Sequence, residues 1–463
     1  MTSLGNEGRD GFSSRFGIIC AAAGSAIGLG NIWRFPYIAG ESGGGAFLLI
    51  YLGFILMLGI PVMLSEFVIG RRGQRNALGS FKRLAPGKPW YFVGVMGIIA
   101  AFMILAFYST IAGWTLEYIV KAISNSFAGK SSGEIEQMFN AFHTQAFRPI
   151  LWQLIFMFMT VWIIMSGVRQ GIERYAKILM PFLVLLLIIM AIRSITLPGA
   201  VEGLSFLFKP DFSAVDSSVL LAALGQAFFS LSIGMGTLIT YGSYIQKKNK
   251  LGNLAIEVSM ADTLIAILAG VAIFPAVFAF GVDPAGGPGL IFNVLPGIFQ
   301  QMPGGYFFAI IFFVLLSIAA LTSSISILEV VVAYMTEELK MSRRKATIMS
   351  ALAATFVGLF CTLSFGPLKG LTITGLSIFD LLDYTASNLL LPLGGLMIVL
   401  FVGWYMKDAD FKDELSNKGL LKVRIFGVLM FLLKFIAPVA IALILLNSLG
   451  FIGPVDGGTE HSN

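Results

Sequence analysis

Charge is what this chain has least of. Of its 463 residues, 12% are Asp, Glu, Lys or Arg, against 57% hydrophobic, and the mean hydropathy is +0.87. A soluble globule needs far more polar surface, so the composition puts the chain in a bilayer. Cysteine and histidine are scarce, with two of each. Cys20 and Cys361 fall inside apolar runs, so packing is their expected role and no disulfide framework is expected. His143 and His461 stand far apart in polar segments and make no metal-binding constellation. There is no phosphate-binding glycine loop with its lysine, no nucleophile elbow, and no acid and base gathered around a nucleophile. An enzyme is therefore not expected. The net charge of +6 needs no nucleic-acid partner, because the positions of the basic residues explain it.

What the chain has in abundance is apolar runs of the length that crosses a bilayer, about 20 residues. Eleven are expected, at 15–38, 44–70, 90–122, 150–167, 172–193, 218–245, 254–281, 304–336, 346–363, 377–404 and 423–449. They are sustained rather than alternating, which argues against an outer-membrane barrel. With the N-terminus in the cytoplasm, most Lys and Arg fall inside: Arg9 and Arg15, then the groups Arg71 to Lys88, Arg169 to Lys177, Lys247 to Lys250, Lys340 to Lys345 and Lys407 to Arg424. This is the positive-inside bias. An odd number of spans sends the C-terminus outside, and the tail 450–463 carries no Lys or Arg. No cleavable signal segment is apparent.

Two spans contain residues that spoil a helix: "GSAIGLGNIWRFP" from Gly24, and "FFSLSIGMGT" from Phe228. In hydrocarbon, open backbone survives only where protein, water or a ligand satisfies it. A glycine cluster alone is commonly a close-packing device. Two at matching places in two five-span halves, each beside hydroxyl or amide side chains, are the pattern left by inverted repeats around a central site. A broken helix offers free N–H groups to a carboxylate and free carbonyls to a small hard cation. The run "AALTSSIS" adds the hydroxyls of Thr322, Ser323 and Ser324, although such hydroxyls often bond back to their own helix.

The stretch Ser13 to Phe47 resembles the first-span signature of the neurotransmitter:sodium symporters. The likeness continues in order through "GRRGQRN", "FYSTIAGWTLEY", "GIERYAKILMP", "GQAFFSLSIGMGTLITYGSY", "LTSSISILE" and "FDLLDY". It implies an all-α membrane fold of eleven helices in the LeuT-type 5+5 inverted repeat, with helices 1 and 6 unwound at the centre. The divisions would be a cytoplasmic segment 1–14, a first repeat 15–193, an extracellular connection 194–217, an inverted second repeat 218–404, a cytoplasmic loop 405–422, a last span 423–449 and an outer tail 450–463. The span count and length resemble the bacterial amino-acid members, in the inner membrane.

The resemblance also implies ligands. One sodium would take the carbonyls of Gly24, Ile27 and Ala319 and the hydroxyls of Thr322 and Ser323. A second would take the Ala26 carbonyl, Asn31, Ser230, a side chain from span seven and the substrate carboxylate. That carboxylate would meet the N–H groups of Leu29 and Gly30 and the Tyr108 hydroxyl. The ammonium would meet the carbonyls of Ala26, Phe229 and Ser230 and the Ser232 hydroxyl. Ser25, Ile104, Phe107, Phe229, Met235, Ser323 and Ile327 would line the side-chain pocket, where flexible Met235 suits large apolar groups such as those of Trp, Tyr, Phe and Leu. Members that carry monoamines have an acid near Gly28, and this chain has none. Chloride-dependent members have an Asn and a Ser four apart in span seven. Here those positions hold Asp262 and Ala266, and a fixed charge beside the second sodium would do chloride's work. Expected gates are Arg34 with Asp383, direct or through water, on the outer side, and Arg9 with Glu337, near Tyr244 and Phe12, on the inner side; Asp380 lies one turn from Asp383. Glu66 would be neutral or would bond open backbone, the second being favoured, and Glu329 receives no role. Gly171 and Pro181 mark an inner end of span five that could loosen to admit water. Expected partners are a hydrophobic amino acid, sodium ions and the bilayer, with no organic cofactor and no nucleic acid, and one chain sufficing. The rival expectation is a sensor of the same fold that binds without transporting.

Overall fold

The computed structural model describes residues 11–283, 291–421 and 423–451, Ala214 without its side chain. Arg9, His461 and the tail beyond 451 lie outside the described residues. Nine helices among them are long and apolar enough to cross a bilayer, and one bent pair makes a tenth. The bent pair is α1 (Arg15–Ala26) and α2 (Gly30–Glu41), which meet at 54°. The continuous spans are α3 (Gly45–Gly73), α4 (Tyr91–Ile123), α5 (Phe147–Met165) and α6 (Val168–Ile195). After the short apolar helix α7 (Ser217–Ser230) and its continuation α8 (Thr237–Tyr244) come α9 (Leu251–Ala279), α10 (Gly305–Glu337), α11 (Arg343–Leu363), α12 (Ile378–Tyr405) and α13 (Phe426–Ser448). Each expected run coincides with one of these elements or pairs.

Sequence chemistry explains where the helices stop. Ser14 starts α1 by accepting the Gly17 N–H at 3.1 Å. At its other end Ile27 turns extended, and the chain passes through Gly28 and Leu29 before α2 begins with a wide, π-type turn, Gly30–Arg34, just ahead of Pro36. Between α7 and α8 the backbone turns left-handed at Ser232, Gly234 and Gly236. A Cβ on Gly234 would strike the Leu391 carbonyl, so only glycine fits there. At the inner end of α6 the helix is intact but carries another wide turn, Val168–Glu173, entered through Gly167 at positive φ. Beyond it the helix runs unbroken through Pro181.

The helix α10 is the hub, packed against α4, α6 and α1. Its apolar stretch is 78% buried against 28% for α13, so the core lies around α10 and the last span is a flank. Several short helices fill segments where no element was expected, among them Ser132–His143, with a Ser131–Glu134 capping box, and Asp408–Leu415. Fully buried Arg71, at the end of α3, meets Glu414 Oε1 at 2.5 Å, the Asn249 carbonyl at 2.6 Å and Asn417 Oδ1 at 3.1 Å. A buried guanidinium needs such satisfaction, and this one ties two connections, around Asn249 and around Glu414 and Asn417, to α3.

Candidate functional site

The two breaks face each other at the centre of the bundle, and polar side chains from four other helices converge on them. The Ser323 hydroxyl of α10 lies 3.3 Å from each of the carbonyls of Gly24, Ser25 and Ile27, and Thr322 sits one residue away with its hydroxyl 3.0 Å from the Ala319 carbonyl. All five ligands expected for the first sodium are thus on adjoining turns of α1 and α10. Gly24 packs so closely that a Cβ would lie 3.3 Å from Thr322 Cβ and 3.1 Å from Met180 Sδ.

Around the start of α2 a second cluster forms. The Asn31 amide donates to Asp262 Oδ1 at 2.7 Å and to Ser230 Oγ at 3.1 Å, while Asn31 Oδ1 accepts the Gly28 N–H at 3.2 Å. Ser230 Oγ in turn donates to Asp262 Oδ2 at 2.8 Å. Asn31 and Asp262 are wholly buried. The Asp262 carboxyl is held by hydrogen bonds, and no basic side chain pairs with it among the described residues, so a cation is the partner that would favour its charged form. Its oxygen-rich donor set suits a hard cation.

Between the clusters, the Leu29 N–H meets the Tyr108 hydroxyl at 3.2 Å. Ser232 reaches across from the second break to the Ser25 carbonyl at 3.0 Å, and the Gly234 N–H is taken by Glu66 at 2.8 Å. That bond to open backbone is the role favoured for Glu66 from the sequence. Gly28 has no room for a side chain, since a Cβ would stand 2.5 Å from Ser323 Oγ and 3.1 Å from the Tyr108 hydroxyl. Ser25, Ala26, Ile104, Phe107, Met235 and Ile327 are all buried, and Phe229 is half-buried.

A cavity of about 800 Å³ opens beyond Phe229, between α2, α7, α12 and α13. Arg34 and Asp383, expected as a direct or water-bridged gate, both face this outer region. Arg34 and Asp383 form no direct ion pair: the Arg34 guanidinium lies 4.3 Å over the Phe229 ring, and Asp383 accepts from Ser387 at 2.7 Å. Each charge has found a nearer partner than the other, a π face and a hydroxyl one turn along. The opposite face is densely bonded. Glu337 accepts the Asn76 N–H at 2.7 Å and its amide at 3.0 Å. Tyr244 donates to Glu329 at 2.7 Å, and Phe12 packs edge-on against Tyr241.

A model of the sodium:neurotransmitter symporter family matches residues 9–147 and 134–456. The chain belongs to that family. It is 42% identical over 441 residues to an uncharacterised sodium-dependent transporter, YhdH, of Bacillus subtilis, covering 95% of this chain and 98% of that one. A bovine sodium-dependent dopamine transporter is 25% identical over 501 residues, 97% of this chain and 70% of its own length. Among solved structures, MhsT in complex with L-phenylalanine superposes with a TM-score of 0.87 at 51% identity, covering 95% of this chain and 99% of that one. This protein is a sodium-dependent symporter, a multi-pass membrane transporter and not an enzyme.

The symporter has partners at its site that sequence reasoning missed. The Tyr51 hydroxyl lies 3.3 Å from Ser230 Oγ and 3.5 Å from Asp262 Oδ2. Gln226 donates to the Gly30 carbonyl at 3.0 Å. Glu329, which received no role, is wholly buried and pairs with Arg343 through both oxygens, at 3.0 and 2.6 Å. The available signal was a polar residue inside an apolar run, which says that a partner exists and not which one.

Proposed function

We propose that this symporter imports hydrophobic and aromatic L-amino acids with two sodium ions, by alternating access and without chloride. The observation that carries the reading is Gly28. The place where monoamine carriers bring an acid has no side chain and no space for one, so the substrate must supply the carboxylate itself. The Leu29 N–H and Tyr108 hydroxyl are disposed to receive it, at the positive end of α2. The substrate carboxylate would then complete the coordination of the second sodium beside Asn31 and Ser230, which couples ion and solute directly. The likeness to a structure that holds L-phenylalanine supports an apolar side chain. Asp262 supports chloride independence, since its charge stands where an anion would otherwise be required, and it would take up a proton on the return step. The architecture supports eleven spans, the bent pair and α7–α8 each serving as one, in a bacterial plasma membrane. On this reading the N-terminus is cytoplasmic and the C-terminus outside. Sodium stabilises the outward-open state and substrate occupancy permits inward release.

Uptake of labelled tryptophan and leucine into proteoliposomes tests this, comparing an inward sodium gradient with potassium, with chloride replaced by gluconate, and with unlabelled amino acids or dopamine as competitors. Concentrative uptake that needs sodium but not chloride is expected. Dopamine outcompeting every amino acid would refute the substrate class, and saturable binding without accumulation would make the chain a sensor.

A further inference from the structure

One buried carboxylate on the densely bonded face takes no part in either ion cluster. Glu173 closes the wide turn of α6 and is 1% exposed. It receives the Ser13 N–H at 2.7 Å and the Ser13 hydroxyl at 2.7 Å, and the Ser14 N–H and hydroxyl at 3.2 and 2.9 Å. Lys177, one turn further along α6, stands 2.5 Å from the same group. Gly17 packs directly on it, and a Cβ there would collide with the carboxylate. Ser13 and Ser14 are the lead-in and N-cap of α1, so four donors at one helix start end on a single side chain from another span.

The other flank of this lead-in is also fixed. The Phe12 N–H reaches the Tyr244 carbonyl at 3.3 Å, and the Gln246 amide reaches the Phe12 carbonyl at 3.2 Å. Residues 12–14 are therefore gripped between the end of α8 and the wide turn of α6. About three to four helical turns further on, α1 presents the carbonyls of Gly24 and Ile27.

We infer that Glu173 is a positioning residue for transport: it holds the start of α1 against α6 and thereby keeps the carbonyls of Gly24 and Ile27 in register with α10. The inference rests on the proposed reading of those carbonyls as sodium ligands. The wide turn supplies the release. A π-type turn holds one residue more than an α-turn, and passing that residue along the helix rotates Glu173 by about 100° about the α6 axis, the angle per residue. All four hydrogen bonds to Ser13 and Ser14 are then lost together. Charge-assisted bonds are among the strongest available, so α1 swings only when α6 changes its turn. Gly171 permits the turn, since it packs against the Ile163 carbonyl where a Cβ would collide.

The native thiol Cys20 is buried on α1, and Cys361→Ala leaves it as the sole cysteine. In that background, the rate at which a methanethiosulfonate reagent labels Cys20 in proteoliposomes reports how often α1 leaves its place. Glu173→Ala is expected to label about tenfold faster than the parent, with Glu173→Gln between them because it keeps shape and one acceptor. The sodium half-saturation of uptake should rise in the same order. Equal labelling rates for the parent and both variants, each monodisperse by size-exclusion chromatography, would overturn the inference. If Glu173→Ala does not fold, Glu173→Gln decides alone, faster labelling supporting the hold and an unchanged rate refuting it. The sodium ligands are judged separately, by whether sodium slows labelling of the parent. Faster labelling in the variants with no effect of sodium on the parent would keep the hold and discard the ligands.

Discussion

The two breaks differ in length and in what holds them. The first spans Ile27 to Leu29 and is held by the Ser323 hydroxyl near three carbonyls, by the Tyr108 hydroxyl on the Leu29 N–H and by Asn31 on the Gly28 N–H. The second runs from Leu231 to Gly236, contains three left-handed residues, and is anchored mainly by Glu66 on Gly234 and by Ser232 on Ser25. A short, tightly referenced break fixes carbonyl positions to tenths of an ångström, as a cation needs. A longer one with fewer anchors tolerates different shapes, as a varied set of side chains needs. On the proposed reading, the comparison would give ion affinity mainly to the first break and side-chain preference mainly to the second.

Substitutions can separate the two. Asp262→Asn acts where the breaks meet and should have the largest effect: chloride-free uptake falls about a hundredfold, as expected for removing one charge from a buried bonded cluster at ~3 kcal/mol, and added chloride restores part of it. Unchanged chloride-free uptake would remove Asp262 from the ion site. Gly234→Ala forces a left-handed residue and a backbone collision on the second break. The conformation alone costs about 1–2 kcal/mol, and the melting temperature should drop by ~5 °C with sodium affinity per folded molecule preserved. Ser323→Ala should raise the sodium half-saturation about tenfold and leave the ranking of competing amino acids as it was. Ser232→Ala should do the converse, changing relative preference about threefold at constant sodium half-saturation. If Ser323→Ala and Ser232→Ala shift the same parameter, the division of labour is wrong.

The spans were legible because hydrophobic length is a local property, and the breaks because glycine inside an apolar run is a local contradiction. Asn31, Ser230 and Asp262 could be named in advance since the resemblance carried them, and they do meet. Tyr51 and Gln226 could not, because pairings across nearly two hundred residues leave no periodic trace, and the Glu329–Arg343 pair could not because it bridges two helices across a turn. The nearest partners of Arg34 and Asp383 were hidden for a related reason: opposite charges on facing helices predict attraction, but not that Phe229 and Ser387 stand nearer. Short loop helices such as Asp408–Leu415 were invisible as well, being set by tertiary ties like that of Arg71 rather than by their own pattern.

The shallow burial of α13 bears on how a greasy solute arrives. The large cavity outside Phe229 is bounded on one side by Ile444, Asn447, Ser448 and Leu449, so on that side its wall is a single lightly packed helix. A barrier one helix thick is a poor seal against molecules already dissolved in the membrane.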